Sequence, residues 1–101
     1  MESHVLLSLV VSPAVEDVIV DWLLERSEVS GFTSYPVSGH GASVHAMNLA
    51  EQVAGRRRQI LFQTHLPKSR AEKVVAELKR DFAGSGMHYW ILPLSASGHL
   101  D

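Results

Sequence analysis

The stretch His4-Val5-Leu6-Leu7-Ser8-Leu9-Val10-Val11-Ser12-Pro13 decides how the rest of the chain is read. Its Val- and Leu-rich run is too short for a helix and suits a strand covered on both faces, the kind that lies inside a sheet. Ser12-Pro13 ends the run. A serine hydroxyl caps helix starts and proline is pre-organised for the first helical position, so a helix follows directly.

Working outward, Val15, Val18, Ile19, Trp22 and Leu23 recur at helical spacing, while Glu16, Asp17, Asp21 and Glu25 fall mainly on other faces. Acidic residues in the first turn and Arg26 near the end match the polarity of a helix dipole, and the helix stops within residues 27–31. Residues 32–39 carry Phe32, Thr33, Tyr35 and Val37 and read as a strand, either irregular at Pro36, which has no amide to donate, or with that position turned outward. Gly39-His40-Gly41 opens a less patterned stretch, in which Asn48 and Glu51 have capping-box spacing for a short helical turn over 48–54, ended by Gly55.

Residues 56–65 alternate, with Ile60 and Phe62 on one side and Gln59, Leu61 and Gln63 on the other, the pattern of a half-buried strand. Over 67–82 the stripe Ala71, Val74, Val75, Leu78 and Phe82 predicts a second amphipathic helix, with Ser69 and Glu72 as its capping box. Gly84-Ser85-Gly86 ends it, residues 87–94 form the last strand, and the polar tail 95–101 is expected to be loosely held.

The order is β-α-β-β-α-β: an α+β, ferredoxin-like fold in a single domain over 1–101. Right-handed crossovers place both helices on one face of a four-stranded antiparallel sheet. The other face is then bare. Trp90, Tyr89, Phe62, Leu61 and Tyr35 lie on strands and call for cover, which further copies of the chain supply most simply, so a homo-oligomer is expected.

Composition narrows the function. With 101 residues, 46% hydrophobic and 20% charged, the chain is of ordinary globular type and one-domain size. Nine basic and eleven acidic residues give a net charge of −2, which argues against a nucleic-acid partner or an anionic membrane surface. The absence of cysteine rules out disulfides and thiolate metal sites and agrees with a reducing compartment. The start lacks a basic leader and a cleavage site, and no apolar run approaches the ~20 residues that span a bilayer. A soluble, cytoplasmic protein without membrane insertion is expected.

Three clusters stand out. Gly39 and Gly41, flanking His40, let backbone amides approach an anion or let the chain turn with positive φ, although a lone Gly-x-Gly equally suits a plain turn. Arg56-Arg57-Arg58 opens the third strand, with Arg56 and Arg58 on one face and Arg57 on the other. Their guanidinium forks match phosphate or carboxylate, or they serve as charged edge protection or in ion pairs between subunits. Gly84 and Gly86, just before His88, read alone as a helix exit and together with the other clusters as a phosphate cradle.

Six histidines raise a divalent transition metal as an alternative ligand, with His40, His45 and His88 as candidate ligands, but no tight ligand motif is present. No nucleophile elbow, cysteine nucleophile or full P-loop lysine motif occurs, and the acidic residues fall mostly on solvent faces of the helices. A binding protein rather than an enzyme is expected.

The chain resembles the PII superfamily of trimeric signal-transduction proteins over nearly its whole length. Val37-Ser38-Gly39-His40-Gly41 looks like the strand end before the PII T-loop, and Gly84-Ser85-Gly86-Met87-His88 looks like the family's Gly-Asp-Gly-Lys segment. Within the superfamily it is similar to short bacterial PII-like proteins associated with heavy-metal efflux systems. That likeness rests on Ser30-Gly31-Phe32-Thr33-Ser34, Gly39-His40-Gly41, Ala50-Glu51-Gln52-Val53, Gly55-Arg56-Arg57-Arg58-Gln59 and His88-Tyr89-Trp90. The resemblance implies a homotrimer with clefts between subunits that take a nucleotide or another small anionic ligand. It also implies a loop over 40–55 that reports the ligand to a partner such as a membrane-embedded metal-efflux pump. Met87 stands where nucleotide-binding relatives have the phosphate-contacting lysine. A metal-tolerance protein that binds metal directly, and a structural subunit without ligand, are the competing readings.

Overall fold

In the computed structural model, which describes residues 2–41 and 56–101, the Val- and Leu-rich run is β1 (His4–Val11). It lies inside the sheet between β3 (Arg57–Pro67) and β4 (His88–Pro93), and β2 (Thr33–Gly39) borders the far side of β3. The order is β2-β3-β1-β4 and every pair is antiparallel. This is the ferredoxin-like, PII-like arrangement, with α1 (Glu16–Leu24) and α2 (Lys68–Asp81) completing it.

Strand alternation sorts the side chains. Val5, Leu7, Leu9 and Val11 of β1 and Ile60, Phe62 and Leu66 of β3 face the helices and form one buried cluster with Ile19, Trp22 and Leu23 of α1 and Ala71, Val74, Val75 and Leu78 of α2. The intervening residues, Leu6, Ser8 and Val10 on β1 and Arg57, Gln59, Leu61, Gln63 and His65 on β3, turn to the other face. The register carries that face onto β2 through Tyr35↔Leu61 and Val37↔Gln59, and onto β4 through Ser8↔Trp90 and Val10↔His88.

The two helices are joined by a polar clasp. The Trp22 indole donates to Asp81 Oδ2 at 2.8 Å, and the Arg26 guanidinium lies 3.9 Å from the centre of the Trp22 ring and 3.3 Å from the same carboxylate. Arg80 beside Asp81, and then the indole, hold the Asp81 carboxyl well below the usual carboxylate range. Thr64, buried on the helix side, donates its hydroxyl to Gly31 O at 2.6 Å and so fixes the connection from α1 into β2.

Several local expectations are corrected. Ser12 and Pro13 do start a helical segment, with Ser12 Oγ accepting from Ala14 N, but the first turn, Pro13–Val15, is a 3-10 turn. Val18 is 54% exposed instead of joining the buried stripe, because in the short α1 the sheet-facing arc takes only Ile19, Trp22 and Leu23. Arg26 lies beyond the end of α1, where it pairs with the other helix rather than with its own dipole. Ser69 and Glu72 form no capping box; the Ser69 amide donates to Glu2 Oε1 at 2.7 Å, so a side chain from the start of the chain caps α2. The suggested turn at 48–54 lies outside the described residues. Residues 95–101 are exposed and without regular structure.

Candidate functional site

The end of β1, the end of β2, the start of β3 and the start of β4 all lie at one end of the sheet, as the pairs Val10↔His88, Val11↔Ile60 and Gly39↔Arg57 require. There, on the helix-free face, Val10, Val37, Leu61 and Trp90 floor a cleft of about 630 Å³ whose rim carries Gly39, His40, Gly41, Arg57, Gln59 and His88. An apolar floor with a few polar groups at the rim is the usual make-up of a small-molecule site.

Behind the same strand tips, on the helix side, a second cleft of about 580 Å³ lies between the Ser12-Pro13-Ala14 turn, Arg57, Arg58, Gln59, Ser85, Gly86 and Met87. It shares Arg57 and Gln59 with the first. Arg56 and Arg58 line a third recess with Pro13, Pro36 and Ile60. By strand register Arg57 belongs to the helix-free face and Arg58 to the helix side, yet Arg57 lines the clefts on both sides. It is half-buried, and among the described residues no carboxylate pairs with it.

The sequence candidates do not converge on one point. Gly39, His40 and Gly41 leave β2 at one edge of the sheet, and Gly84, Gly86 and His88 lead into β4 at the other. Three strand spacings, roughly 14 Å, separate those edges. They flank the cleft of a single chain instead of jointly cradling one phosphate. By register His88 lies level with Tyr35, and His40 lies five residues further along, so more than those three spacings separate the two backbones; His45 lies outside the described residues, and among these no three metal-ligating side chains gather. Gly84 opens on a separate apolar recess with Phe82 and Met87.

The glycines also differ from expectation in their reasons. Among the described residues positive φ occurs only at Gly84, 77°, and Gly86, 80°, so those two make the turn into β4 that side chains resist. Gly39 is extended strand. A Cβ there would run into the amide of Gln59, whose terminal group lies over it. Gln59, which spacing alone gave no reason to single out, therefore covers the tip of β2 and lines both clefts.

Further along the open face the cover is partial. Tyr35 Oη donates to Gln63 Oε1 at 3.1 Å and Gln63 Nε2 donates to Ser8 Oγ at 3.2 Å, a chain that seals Ser8 completely. Leu61 is also buried, but Tyr35, Trp90 and Leu92 stay 40–49% exposed. Tyr89 and Phe62 do not belong to this surface. Phe62 is in the core against Phe32, and Tyr89 turns to the helix side, where Lys79 Nζ lies 5.4 Å from its ring.

No curated protein matches the chain's sequence. Among solved structures it is similar over its full length, and that of the other chain, to a DUF3240 family protein from Shewanella baltica OS155, at 25% identity and a TM-score of 0.79. It is similar in fold to CPII from Thiomonas intermedia K12, a nitrogen regulatory PII-like protein bound to ADP, AMP and bicarbonate, at 16% identity, a TM-score of 0.69 and 96% coverage of both chains. It is also similar to TTHA0516 from Thermus thermophilus, provisionally described as PII-like and signalling, at 16% identity and a TM-score of 0.65 over 92% of this chain and 87% of that one. A family model described as "Protein of unknown function (DUF3240)" matches residues 1–101, and the chain belongs to that family.

Proposed function

We propose that this protein is a cytoplasmic PII-like regulator that binds a nucleotide-like anion at the strand-tip cleft and acts by binding rather than by catalysis. The observation that carries the reading is the position of the three clusters. All lie at the same end of the sheet, yet the glycine tips occupy opposite edges. When copies of the chain pack side by side, the β4 edge of one meets the β2 edge of the next, and Arg57, Gly39 and Gly86 close on one shared pocket. A homotrimer satisfies this and covers the exposed Trp90 and Leu92 at once. CPII, whose fold is similar, is bound to ADP and AMP.

In this reading Arg57 supplies the guanidinium fork for a phosphate, and the apolar floor of Val10, Leu61 and Trp90 accepts a flat ring. The segment 40–55 begins at the rim of the cleft, with His40 and Gly41, and is followed by Arg56 just before β3, which suits it to carry the ligand state to a partner. The sequence resemblance points to a membrane transporter of the heavy-metal efflux type as that partner. Coupling requires a ligand that prefers one arrangement of the segment, since equal affinity for both shifts nothing.

Calorimetric titration of ADP and AMP tests the binding. A charge-assisted hydrogen bond contributes about 1.5–3 kcal/mol, so Arg57→Ala is expected to weaken binding by roughly 10- to 100-fold. Equal affinity in wild type and Arg57→Ala would remove Arg57 from the site, and absence of binding in the wild type would remove the nucleotide-like ligand.

A further inference from the structure

At the opposite end of the same open face, about 20 Å along β1 from the cleft, two histidines meet. Leu6 pairs with His65, and His4 with Pro67, so His4 and His65 are diagonal cross-strand neighbours on the face away from the helices. Diagonal positions lie about 7–8 Å apart at the backbone, close enough for long side chains to touch. The rings do: their centres are 6.2 Å apart and their planes are inclined by 37°. His65 is exposed and His4 half-buried. His4 Nδ1 is shut off from solvent with no hydrogen-bond partner. A buried polar atom without a partner is uncommon, because it has given up water for nothing.

We propose that His4 and His65 form a two-imidazole site for a divalent transition-metal ion. Metal–imidazole bonds of about 2.0–2.1 Å put the ring centres of two ligands on one tetrahedral ion roughly 5 Å apart. The observed pair needs to close by about 1 Å, within the reach of small side-chain rotations. Coordination by a turned His4 ring gives the orphaned nitrogen the partner it lacks. Imidazole nitrogen selects zinc, copper or nickel over magnesium or calcium. Among the described residues no third metal-ligating side chain joins the pair, so the remaining positions go to water. This site shares no residue with the strand-tip cleft or with the candidate set His40, His45 and His88, and does not depend on the nucleotide reading.

Copper(II), the tightest-binding of the divalent first-row ions at such sites, is the probe. Calorimetry on the wild-type chain is expected to show one ion per chain at this site, and its electron paramagnetic resonance spectrum is expected to carry nitrogen couplings from two imidazoles. His4→Asn and His65→Asn, each checked for an unchanged far-ultraviolet circular dichroism spectrum, are each expected to lose affinity. The loss should exceed the roughly 10- to 100-fold typical of removing a group that merely supports a ligand. The double variant His40→Asn/His88→Asn is expected to keep the two-imidazole signal. The proposal is overturned if His65→Asn binds copper like the wild type, which would assign the ion to His4 with the neighbouring backbone. It is equally overturned if the signal disappears with His40 and His88, or if the wild type shows no two-imidazole species.

Discussion

Replacing Trp90 by alanine removes the largest exposed apolar group from the open face of the sheet. Trp90 is 40% exposed in the single chain. An aromatic side chain of this size buries up to about 250 Å² when fully covered, so roughly 100 Å² remains for a neighbour to cover. At about 25 cal/mol per Å² that area contributes about 2.5 kcal/mol. Fixing the side chain costs about 0.5–1.5 kcal/mol of this, leaving about 1–2 kcal/mol for each copy in the assembly. In a trimer three copies lose it together, about 3–6 kcal/mol, or roughly 10²- to 10⁴-fold in the assembly constant. Light scattering over a dilution series reads this directly: Trp90→Ala should dissociate at concentrations where the wild type holds three times the 11.1 kDa chain mass. Fluorescence gives an independent readout, since the chain has two tryptophans and Trp22 is buried against Asp81. In a Trp22→Phe background the emission of Trp90 should shift to the blue as the protein is concentrated. Identical dissociation curves for Trp90→Ala and wild type, with both folded, would refute the assignment of this face to self-association.

Gly39→Ala is expected to leave the melting temperature nearly unchanged, since the group that a Cβ meets is the movable end of Gln59, but to push that amide into the cleft and weaken ADP binding in calorimetry. Phe62→Ala empties a fully buried position beside Phe32 and is expected to cost about 3–5 kcal/mol, read from denaturant midpoints. For Asp81 the folded carboxyl is held below its ordinary value of 3.8 by Arg80 and then Trp22, so it contributes stability above that pH and loses it as the pH falls further. Melting curves taken from pH 5 down to pH 2 should therefore fall less steeply for Asp81→Asn than for the wild type.

Local patterns carried the element order because both signals that define it are short-range. The Val/Leu run of β1 and the i, i+3, i+4 stripe of α2 each require only neighbours along the chain, and Ala71, Val74, Val75 and Leu78 are all buried. The misplacements come from contacts at long separation. Spacing offers Glu72 as the cap partner of Ser69, whereas the fold brings Glu2 there across the sheet end. Arg26 has the right sequence position to serve the dipole of α1, and the fold instead gives it Asp81, 55 residues away. Grouping Tyr89 with Trp90, and Phe62 with Leu61, conflicts with the pleat itself, since adjacent strand residues face opposite sides. Of these four, Trp90 and Leu61 belong to the open face, as Tyr35 does. The candidate site was legible as three clusters, but their separation across the sheet was not, because strand order is set by pairing that no single segment contains. Gln59 and the His4–His65 contact were hidden for the same reason.

Whether strand tips from neighbouring copies form one anion pocket is best decided by a crystal grown with ADP. Electron density for the nucleotide is expected at a boundary between two chains, with phosphate oxygens within hydrogen-bond distance of Arg57 from one and of the turn through Gly86 from the other. Nucleotide bound wholly within a single chain, or a lattice in which the Trp90 face meets only solvent, would contradict the shared pocket.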